Sequence, residues 1–221
     1  MTDTASKLKL YSGPLSMFGA KAEIAVREKG LAYDLTMVPF DMQRLYEPKH
    51  PEVLRINPKR QVPVLIHDGL EIFDSTQIFE YLEDFKPEPA LWPRDVQARA
   101  RARLLEHKSD EVYFPHIVRL MGDPAAAGAK EAAARFYDQM ETALGNGEYL
   151  AGAYTYADIA FYMAQVFGAR MGAPMTDATP HLLAWREHVG ARPAVRHVAG
   201  AMARWLLSIG RPLPDFMQRL V

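Results

Sequence analysis

The chain has 221 residues, with 26 Lys and Arg against 27 Asp and Glu, a formal net charge of −1, and no cysteine. This balance gives no electrostatic reason to expect nucleic acid or an anionic membrane as a partner. The lack of cysteine excludes disulfides, thiolate metal sites and a protein thiol nucleophile, so any thiol chemistry needs a thiol that a ligand brings in.

Two further absences narrow the class of protein. No apolar run reaches the ~20 residues of a membrane span, and the first residues, MTDTASK, lack the apolar stretch of a signal peptide. We therefore expect a cytoplasmic protein that does not enter a membrane. The seven histidines form no close ligand pattern, so we also expect no metal and no permanently bound cofactor.

The first part of the chain predicts a small α/β unit. In chain order, its periodicity and turn residues predict a strand at 7–11, a helix from 17 to 30, a strand at 33–40, a looser helical segment at 41–56, two strands within 62–73 and a helix at 74–85. The short β-α-β start implies a parallel pair with a right-handed crossover. We expect the last helix to bury an apolar stripe of Ile78, Phe79, Leu82 and Phe85.

The segment KPEPALWPRD, residues 86–95, separates two kinds of sequence. It holds three of the chain's prolines, and beyond it only helical windows follow, such as VQARARARLLEHKSDEVYF and KEAAARFYDQMETAL. The predicted domains are therefore an α/β domain at 1–86, a linker at 87–95 and an all-α domain at 96–221. Within the latter, Thr155 and Asp158 have the spacing of a helix capping box, which predicts a structural role.

Three loops of the α/β domain carry groups that suit a peptide-like anionic ligand. Pro63 interrupts an apolar run that otherwise reads as a strand, so either a trans proline starts the strand or a cis bond turns the main chain of Val62 outward. Asp74 and Ser75 stand at a helix N-terminus, and Ser16 stands at another, where free N–H groups favour an anion. We expect loops 12–18, 60–63 and 73–75 to share one edge of the sheet.

Several longer segments together resemble the cytosolic glutathione transferase superfamily. They are LKLYSGPLSMFGAKAEIAVREKGL, PEVLRINPKRQVPVLIHDGLEIFDSTQIFEYLED, YLAGAYTYADIAFY and PHLLAWREHVGARPAVR, which lie in order and cover most of the chain. The resemblance implies an α/β thioredoxin-like N-terminal domain followed by an all-α C-terminal helical domain. It also implies reduced glutathione as co-substrate.

The resemblance assigns roles to residues near the three loops. Pro63 matches the cis-proline of the family, so Val62 is expected to pair its main chain with the cysteinyl part of glutathione. Asp74 is expected to bind the γ-glutamyl ammonium, and Ser75 the γ-glutamyl carboxylate. For the glycine carboxylate, Gln61 is the first candidate, and the others are Lys49, His50 and Arg44.

The thiol-activating residue is expected to be Ser16. The theta- and tau-like motif of the Ser-type classes has a serine, an aromatic residue two positions later and a basic residue three positions after that, here Ser16, Phe18 and Lys21. The proline that often follows the serine is Met17 in this chain. Tyr11 is the rival because Tyr-type classes use a tyrosine at the end of the first strand, and Ser12 is a further alternative.

The implied activity is conjugation of glutathione to small hydrophobic electrophiles, which is the chemistry of a detoxification transferase. The second substrate is expected between the domains, against Tyr113, Phe114 and Ile117. Family members also act as dehalogenases, ether-cleaving lyases, isomerases or peroxidases, and the sequence does not choose among them. A non-catalytic binding module or a ligandin is the alternative from another class.

The resemblance also implies a homodimer. The arginines at positions 99, 101 and 103 alternate along one predicted helix. They are expected to form ion pairs between protomers with Glu80 and Asp84, although a solvated helix face explains the same pattern.

Overall fold

The computed structural model describes residues 7–221, and the chain divides into a first unit that ends at Pro89 and a second unit, Ala90–Val221. Four strands of the first unit form one sheet in the order β2-β1-β3-β4. They are β1 Leu8–Ser12, β2 Tyr33–Met37, β3 Val64–His67 and β4 Leu70–Phe73. β1 runs parallel to β2 and antiparallel to β3, and β4 is antiparallel to β3, so the predicted parallel pair is confirmed.

Three helices of the first unit cover the two faces of this sheet. They are α1 Met17–Glu28, α2 Pro51–Ile56 and α3 Ser75–Phe85. α1 and α3 pack together on the face to which the buried side chains of Leu8 and Leu10 point. On the other face, Val53 of α2 packs with Val38 and Val64. Because successive strand residues point to opposite faces, each strand contributes to both layers.

The helical segment predicted at 41–56 is shorter than expected. The helix begins only at Pro51, after His50 has accepted a hydrogen bond from the Glu52 N–H at 3.2 Å as N-cap. Upstream, the Asp41 side chain accepts from the main-chain N–H groups of Gln43 and Arg44, both at 2.8 Å, and closes a turn. A proline lacks an N–H and suits the first helical turn, so Pro51 marks the start of the helix.

Phe85 does not belong to the buried stripe of α3. Ile78, Phe79 and Leu82 are fully buried, whereas 49% of Phe85 is exposed. Its ring stacks on Tyr81 and lies 4.7 Å, centroid to centroid, from the ring of His67. Phe85 is the last residue of α3. The apolar periodicity of the helix includes Phe85, but the buried core beneath the helix ends at Leu82.

The second unit is helical. Its α-helices are α4 Val96–His107, α5 Phe114–Gly122, α6 Ala129–Leu144, α7 Tyr156–Arg170, α8 Pro180–Gly190, α9 Pro193–Ser208 and α10 Asp215–Gln218. α7 is the central helix, since every residue from Tyr156 to Gly168 is buried. No helix within the described residues 7–221 is long and apolar enough to cross a membrane. The thioredoxin-like unit followed by a helical unit confirms the predicted fold class.

The junction of α4 and α5 is a π-helical turn, Lys108–Tyr113. Pro115 follows this turn, in the first turn of α5, and because a proline lacks the N–H that a continuous α-helix would use, the irregular turn before it accommodates the missing hydrogen bond.

Candidate functional site

The three predicted loops meet at one edge of the sheet. In the strand register, Tyr11 of β1 lies opposite Val64 of β3, and Val64 lies opposite Phe73 of β4. The loop after β1, the loop before β3 and the loop after β4 therefore join the sheet at neighbouring positions of one edge. All of them belong to the first unit.

Ser16 is the N-cap of α1. Its Oγ accepts a hydrogen bond from the Gly19 N–H at 2.9 Å, and the residue is 8% exposed. Because the oxygen is the acceptor in this bond, its own O–H stays available as a donor. The free N–H groups and the dipole at the start of α1 add positive potential, so this position favours a thiolate.

Ser12 contributes a second hydroxyl beside Ser16. Its side chain is 1% exposed, and its Oγ has no hydrogen-bond partner among the described residues. A Cβ added to Gly19 would lie 2.2 Å from Ser12 Oγ and 3.1 Å from Ser16 Oγ. Both hydroxyls thus face the same point of α1, and only a glycine leaves room for them there.

Tyr11 lies on the other face of the sheet from Ser12. Its ring packs against the cluster that contains Val53 and Val64, and lies 5.0 Å from the ring of His50. Tyr11, the rival activating residue, therefore packs on the face of the sheet that α2 covers. Alternation along β1 explains why these neighbouring residues have different surroundings.

The Val62–Pro63 peptide bond is cis, as the resemblance implied. Pro63 is buried, and Val62 is partly exposed. Since the ladder between β1 and β3 begins at Val64, Val62 lies outside it at the edge of the sheet.

Asp74 and Ser75 start α3 at the same edge. Oδ1 of Asp74 accepts from the main-chain N–H groups of Thr76 at 3.0 Å and Gln77 at 3.3 Å. Both hydrogen bonds use Oδ1, so Oδ2 can receive a further donor. The φ angle of Asp74 is 76°, which is costly for a residue with a side chain, and Ser75 is 3% exposed.

His50 has a defined donor atom. Because Nδ1 accepts the Glu52 N–H, the neutral ring carries its proton on Nε2, which makes Nε2 a hydrogen-bond donor. Of the other candidates for the glycine carboxylate, Gln61 and Arg44 are exposed, and Lys49 Nζ lies 3.4 Å from Glu47 Oε1.

Tyr46 is a neighbour of the site that the sequence reasoning missed. A Cβ added to Gly13 would lie 2.4 Å from Tyr46 Oη, so the tyrosine packs directly on the loop that leads to Ser16. Burial raises the pKa of its hydroxyl above the usual value. In the sequence, Gly13 of the segment SGP indicates that another group approaches the main chain closely, but the pattern does not identify Tyr46 as that group.

The predicted electrophile contacts require a correction. Tyr113 and Ile117 are completely buried, and Phe114 is 7% exposed. Tyr113 hydrogen-bonds Tyr137 within the helical unit, and Phe114 packs edge-on against Phe167. These side chains belong to the core, because their apolar surface is already covered by other helices of the same unit.

No group of three or more His, Asp or Glu side chains in residues 7–221 is arranged to hold a metal ion. His181 and His188, which share a helix, bind other partners. His181 Nδ1 lies 2.6 Å from Glu141 Oε1, and His188 Nε2 lies 2.8 Å from Tyr149 Oη.

A thioredoxin-like unit with this edge site, followed by a helical unit, defines the class of the protein. Family models described as the N-terminal and C-terminal domains of glutathione S-transferase match residues 15–84 and 120–198. The chain is 31% identical to glutathione S-transferase 3 of Zea mays over 212 residues, which cover 88% of this chain and 94% of that relative. The chain therefore belongs to the glutathione transferase family.

Further similarities include one more named transferase and two proteins that are not named as transferases. A stringent starvation protein A homolog of Coxiella burnetii is 32% identical over 126 residues, 55% of this chain and 56% of the relative. A solved glutathione S-transferase of the Antarctic clam Laternula elliptica has a TM-score of 0.78 at 23% identity, covering 87% of this chain and 92% of that one. The structure of Ure2p in complex with glutathione has a TM-score of 0.76 at 23% identity, covering 89% and 94%.

Proposed function

We propose that the chain binds reduced glutathione at the edge of the sheet in its first unit and conjugates it to small hydrophobic electrophiles. The observation that carries this proposal is the O–H of Ser16, which remains available as a donor at the N-terminus of α1, at the same sheet edge as the loops of Val62 and Asp74. In this proposal the sulfur of glutathione is the nucleophile, and the protein needs no general base of its own.

The role of Ser16 is to favour the thiolate. A free thiol has a pKa of about 8.5, so only a few per cent is ionised at neutral pH. A hydroxyl that donates to the sulfur, together with the helix N-terminus, stabilises the charged form, and each unit by which the pKa falls is worth ~1.4 kcal/mol. The thiolate then attacks the electrophilic carbon, and the leaving group departs or the double bond takes up a proton.

The remaining contacts orient glutathione. Asp74 Oδ2 receives the γ-glutamyl ammonium, and Ser75 at the start of α3 receives the γ-glutamyl carboxylate. The main chain of Val62 pairs with the cysteinyl residue. Gln61 and the Nε2 of His50 are the donors that we propose for the glycine carboxylate, with His50 now supported by its defined tautomer.

The electrophile needs exposed apolar surface, which the core positions Tyr113 and Ile117 do not offer. On the same stretch of the second unit, the apolar side chains with large exposure are Val112 at 48%, Val118 at 51% and Met121 at 41%. A substrate screen distinguishes conjugation from the other reaction types of the family, which include dehalogenation, ether cleavage, isomerisation and peroxide reduction. The lack of cysteine argues against the variants that use a protein thiol.

A second candidate function is a non-catalytic binding module or a ligandin. It is favoured by the 32% identity to a stringent starvation protein A homolog, a protein that is not named as a transferase. This candidate predicts either no glutathione binding or binding without turnover. The two functions are therefore separated by titration with glutathione followed by an assay for conjugation.

Isothermal titration with reduced glutathione and with S-hexylglutathione tests the site. We expect both to bind, and the hexyl compound to bind more tightly because it adds apolar burial. Asp74→Asn should bind glutathione about tenfold more weakly, because the amide keeps an acceptor for the cap and tolerates a positive φ but loses the charge that meets the ammonium.

The matched control is Asp95→Asn. Asp95 caps α4 by accepting from the Ala98 N–H at 2.8 Å, so this variant alters a helix cap outside the proposed site. Its affinity for glutathione should equal that of the unmodified protein. Equal affinities for all three proteins would remove the γ-glutamyl assignment, and no binding by the unmodified protein would reject the proposed function.

We also propose a homodimer. Phe85 and Leu70 of the first unit leave 49% and 47% of their surface exposed, and the Phe85 ring extends an aromatic group with Tyr81 and His67. Exposed aromatic surface of this kind is typical of interfaces, and identical subunits most often pair by two-fold symmetry.

Sedimentation at micromolar concentration tests this state. The unmodified protein should sediment as a dimer, and Phe85→Ser should shift it toward monomer. Leu54→Ser, at a residue of α2 that is 42% exposed, is the control and should leave the dimer intact. A monomer in the unmodified sample, or a Phe85→Ser variant that stays dimeric, contradicts the assignment.

A further inference from the structure

A groove of about 490 Å³ opens in the second unit, whereas the residues proposed for glutathione belong to the first. It is lined by the end of α7, by α8 and by the last residues of the chain. Three arginines face it, Arg170, Arg186 and Arg219, together with Asp215. Much of the remaining lining is apolar, with Pro174, Pro212, Leu213 and Phe216 among its residues. The groove thus combines a concentration of guanidinium groups with apolar walls.

Arg170 has no carboxylate partner among the described residues, 7–221. Its guanidinium carbon lies 5.1 Å from the ring centroid of Phe167, and no ion pair joins it. Burial, with a smaller effect from the charge of Arg211, lowers the pKa of Arg170 to about 10, so the group stays protonated at neutral pH. A partly desolvated positive charge is therefore held at the groove without a counter-ion.

Arg186 is only partly compensated. Its side chain is 13% exposed, and its Nε is buried with no hydrogen-bond partner in the described chain. The guanidinium carbon lies 4.2 Å from the ring of Phe216. The carboxylate oxygen 3.7 Å from its Nη2, Oε1 of Glu187, is also 2.9 Å from Nη2 of Arg219, so two arginines share one carboxylate.

The helix dipole explains the position of Arg170, but it does not explain why three arginines meet at this groove. Arg170 is the last residue of α7, where the negative end of the dipole favours a cation. Arg186 lies in the interior of α8, and Arg219 follows α10, so neither owes its position to the end of α7. Asp215 is the carboxylate among the lining residues, and Glu187, which does not line the groove, contacts Arg186 and Arg219. With three arginines at the groove and Arg211 nearby, positive charge remains in excess.

We propose that this groove binds a small organic anion. Its phosphate or carboxylate group would lie between Arg170 and Arg186, whose planar guanidinium groups suit two parallel hydrogen bonds to such oxygens. Its apolar part would pack against Leu213 and Phe216. The anion supplies the counter-charge that Arg170 lacks and that Arg186 has only through a carboxylate shared with Arg219. Because every residue of the groove lies in the second unit, this proposal stands apart from the proposed glutathione site.

Phenyl phosphate is the probe, because it joins an anionic group to a small apolar body. Isothermal titration in a chloride buffer should show saturable binding to the whole protein, weaker binding of inorganic phosphate, and none of benzyl alcohol. Arg170→Met should bind phenyl phosphate at least tenfold more weakly. Arg135→Met is the matched control, since Arg135 is an exposed arginine of α6 that does not line the groove, and its affinity should equal that of the unmodified protein.

A second variant changes the affinity in the opposite direction. Asp215→Asn removes the carboxylate of the groove at an exposed position, so it should bind phenyl phosphate more tightly than the unmodified protein. Glutathione affinity should be unchanged in both groove variants, which separates this result from a failure of the glutathione site. Absence of phenyl phosphate binding, or equal affinity in Arg170→Met and the unmodified protein, overturns the proposal.

Discussion

Ser16→Ala should lower kcat/KM for conjugation by ~100-fold while the affinity for glutathione changes little. Removing one pre-positioned donor to a developing or full negative charge has effects of about this size in other active sites. The affinity is expected to persist because Asp74, Ser75 and Val62 make the contacts to the glutathione backbone. The pKa of the bound thiol should rise toward its free value, which the ultraviolet absorbance of the thiolate measures directly.

The thiol pKa separates this effect from the loss of a helix cap. Ser16→Ala also removes the acceptor for the Gly19 N–H, which should cost about 1 kcal/mol of folding free energy. A loss of stability alone would leave the pKa of the bound thiol where it is in the unmodified complex.

Two neighbouring variants serve as comparisons for Ser16. Tyr11→Phe removes a hydroxyl on the α2 side of the sheet, and we expect near-normal turnover. Ser12→Ala removes the buried hydroxyl that faces Gly19, and we expect a smaller loss than for Ser16→Ala. Full activity in Ser16→Ala together with a large loss in Tyr11→Phe would transfer the activating role to Tyr11.

Asp158→Asn should lower the free energy of unfolding by about 3 kcal/mol, which corresponds to ~6–12 °C in the melting temperature of a protein of this size. The buried carboxylate accepts four hydrogen bonds. Oδ1 accepts from the Leu150 N–H at 3.0 Å and from Trp185 Nε1 at 2.9 Å, and Oδ2 accepts from the Thr155 N–H at 2.9 Å and Thr155 Oγ1 at 3.2 Å. Burial raises the pKa of Asp158, and these donors oppose that rise.

The asparagine nearly preserves the shape but not the chemistry. One carboxylate oxygen becomes an NH₂ group, which is a donor, so at least one buried N–H donor faces another donor and is left without an acceptor. Differential scanning calorimetry measures the change. Asp138→Asn, at an exposed position of α6, is the control and should melt with the unmodified protein. Equal melting temperatures for both variants would show that the Asp158 network contributes little.

Asp158 also illustrates how far local patterns reach. The spacing of Thr155 and Asp158 predicted the capping box, and the structure confirms it. The same spacing does not indicate that Asp158 also binds Leu150 and Trp185, which lie 8 and 27 residues away in the chain. A cap depends on neighbouring backbone atoms, whereas the bond from Leu150 depends on how the segment before α7 folds back on it, and the bond from Trp185 depends on how α7 and α8 pack.

The resemblance to a known family implied that the first unit is thioredoxin-like. The sequence patterns themselves determined the order of strands and helices along the chain, an α/β unit followed by a helical unit, the cap of α7 and the sheet edge at which the three loops meet. These features follow from periodicity, turn residues and caps, whose hydrogen bonds join residues close in the chain, and from the short crossovers that restrict topology. The roles of Ser16, Asp74 and Ser75 remain proposals that rest on this edge.

Only the tertiary structure decided which side chains are covered. It placed Tyr113 and Ile117 in the core, left Phe85 exposed, set Ser12 beside Gly19 and defined the donor atom of His50. It also brought Arg170 at the end of α7, Arg186 of α8 and Arg219 after α10 to one groove. Burial and the pairing of charges depend on residues far apart in the chain, so periodicity cannot distinguish an apolar stripe in a core from one at a surface.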